Sequence, residues 1–97
     1  MYKRFEWDNL KNRTNQQKHS ISFEEAITMF NDVVLSKVDN RCDYREIRKI
    51  SLGKIQDGGI VICVVHTQRS GKTRIISARK ANKKERQVYR NHLETRI

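Results

Sequence analysis

Ninety-seven residues leave room for one domain, spanning 1–97, and an apolar fraction of 36% confines its core to a few segments. A formal charge of +10 and a pI of about 10.1 demand an acidic partner. No apolar run is long enough to span a bilayer, no stretch has the make-up of a membrane-surface helix, and Met1 to Trp7 lacks the apolar centre of a signal peptide, so no membrane partner is expected.

Cysteine usage points the same way. Cys63 sits in an apolar run and Cys42 in a polar stretch, with no C-x-x-C and no Cys/His cluster. That pattern predicts no zinc site and fits a reducing, cytoplasmic location. Nothing in the sequence calls for a metal or another cofactor.

In chain order, Tyr2 to Trp7 reads as a short strand with Phe5 and Trp7 on one face, Trp7 being a core residue. Asp8 is placed to cap a helix over Asn9 to His19, whose apolar content is essentially Leu10. Ser22 and Glu25 have capping-box spacing, and Phe23, Ala26, Ile27 and Phe30 then mark one helical face. Val33 to Val38 is β-branched and reads as a strand, followed by a polar loop from Asp39 to Arg45. Ile47 to Gly53 reads as the next strand; Ile50 and Leu52 are in phase and Ile47 is not, which a bulge or a late start would explain.

Gln56-Asp57-Gly58-Gly59 is a hairpin turn, and Ile60 to Val65 is the most apolar run in the chain. Ser70-Gly71 makes the following turn, and Thr73 to Arg79 is the last strand. Asn82 caps a final helix that carries Val88, Tyr89 and Leu93 inward. Strand, helix, helix, four meandering strands and helix imply an α+β domain: a small antiparallel sheet with helices packed on one side.

A tight turn at Ser70-Gly71 pairs Arg69 with Lys72 and His66 with Ile75. Carried on without interruption, that register places Val64 opposite Ser77 and Ile62 opposite Arg79. One face then holds Ile62, Val64, His66, Ile75, Ser77 and Arg79; the other, apolar along its middle, is the expected helix-packing face. A slip of one residue would reverse such assignments. After His66 come ten bases and two acids, Glu85 and Glu94, so +8 of the +10 lies on one hairpin and one helix. That focusing is the footprint of a phosphate-backbone binder, with RNA the expected partner; a solvated charged face is the bland alternative.

Phe5-Glu6-Trp7-Asp8, Lys11, Asn15, Lys18-His19, Ser22-Phe23-Glu24-Glu25-Ala26 and Arg74-Ile75-Ile76-Ser77-Ala78-Arg79, followed by Ala81, Glu85 and Tyr89, resemble the BrnT family. That family comprises toxins of type II toxin–antitoxin pairs, with a fold similar to the RelE ribonucleases. The chain departs from the family pattern at Asn9, where Pro is usual, and at Ser20, where Gly is usual; both changes should weaken helix ends and leave the chemistry alone.

The resemblance implies RNA cleavage without a metal and a cognate, BrnA-like antitoxin that covers the basic face with Asp or Glu. In that chemistry the ribose 2′-oxygen attacks the adjacent phosphate, a base takes its proton, an acid protonates the leaving 5′-oxygen, and cations stabilise the phosphorane. Arg79, Arg69, Glu85, His66 and Tyr89 are the catalytic candidates, with Lys18, His19, Arg74, Lys80, Lys83 and Lys84 for RNA binding. Each has a structural alternative: Glu85 as capping-box partner of Asn82, Tyr89 and His66 as core residues, His19 as a helix C-terminal cation, Arg79 as an ion-pair partner. The rival functions are a non-catalytic nucleic-acid-binding module and a basic interaction protein with an acidic partner.

Overall fold

The computed structural model describes residues 4–41, 43, 45–56 and 59–95. Cys42, the start of the first expected strand and the centre of the Gln56–Gly59 turn lie outside them. The elements are β1 (Phe5–Glu6), α1 (Asn9–His19), α2 (Phe23–Ala26) running into a 3₁₀ turn (Ile27–Asn31), β2 (Leu35–Val38), β3 (Arg48–Ile55), β4 (Ile60–Arg69), β5 (Lys72–Lys80) and α3 (Lys83–Glu94).

The local signals act as their chemistry dictates. Asp8 Oδ1 accepts from the Leu10 and Lys11 amides at 2.8 and 3.2 Å, and Ser20 ends α1 in the left-handed conformation at φ 59°. Both legs of the Ser22–Glu25 capping box are present. β3 starts late, at Arg48, which leaves Ile47 71% exposed and accounts for its broken phase.

α1 is a nearly apolar-free helix that docks through amides. Leu10 is 68% exposed, and the buried residues are Asn12 and Asn15. Asn15 donates to the Ala78 and Ile21 carbonyls at 2.8 and 2.9 Å and accepts from the Ala78 amide at 3.1 Å. Asn12 donates to Glu24 and accepts from the Phe23 amide. Asn15 thus pairs with the backbone of β5 as a neighbouring strand would, beyond the point where β1 stops.

The α+β class and the meander are as expected, but the sheet is mixed. Its order is β1-β5-β4-β3-β2, with β2 to β5 antiparallel and β1 added parallel to β5 through Phe5 opposite Thr73 and Glu6 opposite Arg74. The helices also occupy both faces rather than one. Phe23, Ala26, Ile27 and Met29 pack on Ile55, Ile62, Val64, Ile75 and Ala78. α3 lies on the other face, where Tyr89 joins Leu52, Cys63 and Ala81, with Leu93 partly buried. Val88, expected inward, is 45% exposed.

The β4–β5 hairpin decides what the sheet presents to solvent. Ser70 and Gly71 both have positive φ, 51° and 80°, the signature of a two-residue turn of the I′ type. Arg69 opposite Lys72 and His66 opposite Ile75 match the expected register. Between Val65 and His66 the register then shifts, and Ile76 becomes a bulge residue. Beyond it Val65 pairs with Ser77, Val64 with Ala78, Cys63 with Arg79 and Ile62 with Lys80.

The uninterrupted pairing inferred from sequence is therefore wrong past His66. Ser77 and Arg79 lie with Val65 and Cys63, not with His66. An unbulged strand would set Ser77 opposite fully buried Val64 beneath the helices. The bulge sets small, apolar Ala78 there instead, and leaves Lys80, exposed at the end of β5, opposite Ile62. It follows that the face of Ile62, Val64 and His66, expected to be open, is the one that α2 and the 3₁₀ turn cover.

Candidate functional site

On the α3 side of the sheet the registers arrange side chains in rows that cross the strands. Arg69 and Lys72 form the row nearest the turn; Arg48, Thr67, Arg74 and Glu6 form the next. Lys37, Ile50, Val65 and Ser77 follow, then Leu35, Leu52, Cys63 and Arg79. α3 packs over the last row and reaches Ile50 in the row before it, and Lys18 and His19 of α1 border Ser77 in that same row. The carboxylates on this surface are engaged: Glu6 with Arg74 at 3.1 Å, Glu46 with Arg48 at 2.9 Å and Glu85 with Arg79. Among the described residues Arg69, Lys72 and Lys37 form no salt bridge.

Arg79 and Glu85 are the tightest charged pair on the face. Nη1 donates to Oε1 at 2.7 Å and Nη2 to Oε2 at 2.9 Å, a fork-on-fork contact between the end of β5 and the first turn of α3. Oε1 also accepts from the Asn82 amide at 2.9 Å, while Asn82 Oδ1 accepts from the Glu85 amide at 2.8 Å. One carboxylate therefore serves both the capping box and the ion pair. The hydrogen bonds from Arg79 hold the Glu85 carboxyl down at about 2, and the same contact raises Arg79. Beneath them lies Cys63, whose thiol is pushed up by burial. Lys37 and Arg41 are within electrostatic reach.

The other candidates are dispersed. Tyr89 is buried, and its hydroxyl donates to the Val33 carbonyl at 2.7 Å, tying α3 to the segment that leads into β2. His66 is buried on the far face, Nε2 2.6 Å from Ser51 Oγ, which in turn lies 2.6 Å from Ser36 Oγ; Phe30 meets the imidazole edge-on at 5.3 Å between centroids. Burial, then Lys49, lowers His66 to about 4 and keeps the ring neutral. Lys18 and His19 are exposed at the end of α1, lining a cleft of about 320 Å³ with Ile76 and Ser77. Lys83 and Lys84 are exposed in the first turn of α3; Lys80, also exposed, pairs with Ile62 and so belongs to the His66 side.

Arg79, Glu85, Arg74 and Arg69 thus share one surface, and His66 does not. Sequence reading missed Lys37 and Arg48. The signal was alternation: Lys37 is two residues from Leu35, and Arg48 two from Ile50, and Leu35 and Ile50 face α3. Among the described residues no three His, Cys, Asp or Glu side chains gather as a metal site would require, and no helix is long and apolar enough to cross a membrane.

A family model described as "Ribonuclease toxin, BrnT, of type II toxin-antitoxin system" matches residues 7–85. No curated protein matches the chain.

Proposed function

This chain belongs to the BrnT family, the ribonuclease toxins of type II toxin–antitoxin systems, and we propose that it cuts RNA laid across the cationic face of the sheet, by attack of the ribose 2′-oxygen without a metal. Its substrate is RNA, and its partner is a cognate antitoxin. The observation that carries the reading is the bulge at Ile76, because it sets Arg79 on the same surface as Arg74, Arg69, Lys72 and Arg48.

In the proposed step the 2′-oxygen forms a bond to phosphorus as the bond to the 5′-oxygen breaks. A 2′,3′-cyclic phosphate and a 5′-hydroxyl result, and the 2′-proton leaves as the 5′-oxygen gains one. Charge builds on the non-bridging oxygens only as the phosphorane forms, so a cation fixed beforehand favours the transition state over the ground state. Arg79 is the residue assigned to that role. Its fork is already held by Glu85, and 40% of its side chain remains exposed to meet a phosphate. Glu85 acts as a positioning residue, since a carboxyl held at about 2 is a weak base near neutrality.

Arg69 is assigned to a flanking phosphate. Arg69 lies six positions along β4 from Cys63, the partner of Arg79, which is about 20 Å at 3.4 Å per residue. His19 is exposed beside Ser77, two residues before Arg79, whereas His66 is buried on the far face. His19 is the histidine assigned to proton transfer, since an exposed imidazole can both accept and donate a proton. Tyr89 holds α3 in place.

The antitoxin is assigned a BrnA-like identity and an acidic segment that competes with RNA for these cations, and toxin and antitoxin are assigned to the cytoplasm. Purified chain incubated with RNA and a chelator should yield 2′,3′-cyclic phosphate ends. Arg79→Ala should slow the cut by about 10²–10³. Cleavage that needs an added divalent ion, or an Arg79→Ala variant as fast as the parent, would defeat the proposal.

A further inference from the structure

α3 divides two cationic surfaces, and the second plays no part in the reaction above. On the flank of α3 away from Arg79, a cleft of about 370 Å³ is lined by Lys54, Val61, Arg86, Tyr89, Arg90 and Leu93, with Gly59 at its end. Lys54 comes from β3 and places Nζ 5.8 Å from the centre of the Tyr89 ring. Arg86 and Arg90 stand four residues apart on α3, a spacing at which like charges repel. Arg86 donates to the Ala81 carbonyl at 2.8 Å. None of the three cations forms a salt bridge among the described residues. Three like charges thus converge from two elements on a floor of Val61, Leu93 and Tyr89.

We infer that this cleft is the anchor site for the antitoxin, taking a segment that sets an apolar side chain on Val61 and Leu93 and presents Asp or Glu to Lys54, Arg86 and Arg90. The inference rests on the reading of the chain as a toxin with an antitoxin partner. Charge complementarity selects an acidic occupant. The floor selects protein over RNA: it is aliphatic, and Tyr89 is too deeply buried to stack a base, whereas single-strand binding draws on exposed aromatic faces. From this anchor a masking segment passes over the first turn of α3 toward Arg79, so that holding the toxin and blocking its RNA face depend on different residues.

Arg86→Glu/Arg90→Glu tests it, with Arg90→Glu alone as the variant that leaves the Arg86–Ala81 contact intact; circular dichroism checks the fold. Affinity is measured by calorimetry for the purified cognate antitoxin and, in parallel, for a poly-uridine single strand. The double variant should bind antitoxin about a hundredfold more weakly and the single about tenfold, one decade per reversed charge. Both should still cut RNA within about twofold of the parent rate, because neither residue is assigned to the reaction. Arg79→Ala should keep most of the antitoxin affinity.

Unchanged antitoxin affinity in the double variant overturns the inference. So does a loss confined to poly-uridine, which would give the cleft to RNA, or an Arg79→Ala loss as large as that of the double variant, which would put the anchor on the sheet face. An Arg79→Ala variant that still cuts RNA would sink the proposed mechanism while leaving the antitoxin measurement valid.

Discussion

Arg79 and Glu85 meet fork to fork across the junction of β5 and α3, with both prongs under 3 Å, and the Glu85 carboxylate holds the Asn82 amide as well. The contact fixes the guanidinium in one orientation without burying it. Glu85→Gln separates positioning from base catalysis, because Gln keeps the capping geometry and loses the charge. Removing a general base typically costs about 10²–10⁴ in rate. The expected loss is instead about tenfold, felt mainly in kcat, with the pH profile unchanged in shape. A Gln variant that loses the acid limb of that profile would return Glu85 to the role of base.

Stability should fall in two steps as the solution is acidified. His66 titrates at about 4 when folded against an ordinary value of 6.5, and Glu85 at about 2 against 4.5. Both are depressed, so in each case the unfolded chain takes up the proton first and stability is lost on the way down. Above pH 6.5 both contributions are complete. The His66 contribution drains between pH 6.5 and 4, and the Glu85 contribution between 4.5 and 2. Urea midpoints measured across this range should show both limbs. His66→Gln should remove the upper limb and leave the lower.

The elements were legible because their signals are local. Asp8, Ser22–Glu25 and Asn82–Glu85 announce the helix starts, and Ser70-Gly71 announces the turn, all within four residues of where they act. The sheet face was not legible, because one bulge residue, Ile76, reverses every side chain after it. No propensity marks Ile76. The bulge reflects a tertiary choice between Ala78 and Ser77 for the buried place opposite Val64, together with the grip of Asn15 on the Ala78 backbone, 63 residues away in sequence. The site shares that difficulty: local pairing rules give Arg79 the face of His66 and Ile62, and the bulge gives it the face of Val65 and Cys63. The two-residue parallel β1 carries too short a pattern to show its partner.

Ser20 closes α1 in the left-handed region, where a Cβ is disfavoured. Ser20→Gly should therefore stabilise the fold by about 1 kcal/mol, slightly reduced by the greater freedom of Gly in the unfolded chain. Chemical denaturation reads this directly. Cleavage per folded molecule should not change, because Ser20 makes none of the contacts that hold Arg79.

Asn15→Ala should act in the opposite sense. It strips partners from the Ala78 amide and carbonyl and from the Ile21 carbonyl, all in buried hydrogen bonds. A buried group left unsatisfied costs about 1–3 kcal/mol, so a loss of at least that size is expected. It should exceed that of Leu10→Ala, since Leu10 is exposed on the same helix. Equal effects would mean that α1 docks by apolar contact after all.

Salt dependence tests which face RNA uses. If RNA lies across the rows led by Arg69, Lys72, Arg74 and Arg79, its affinity must fall as salt rises, with a log–log slope of about −0.7 for each phosphate neutralised on a single strand. Arg69→Ala and Lys72→Ala should each make that slope shallower by about 0.7. Arg69→Ala should also raise KM more than it lowers kcat, because it contacts a flanking phosphate rather than the one being cut. Lys49 is the matched control. It lies on β3 opposite His66, on the other face of the sheet, with the same unit charge. Lys49→Ala lowers the net charge as much as Lys72→Ala does, so an effect of overall charge alone would move the two equally. The expected result is a normal slope for Lys49→Ala and a reduced one for Lys72→Ala. Equal slopes would mean that RNA binds by diffuse attraction, and the sheet face would lose its claim to be the binding surface.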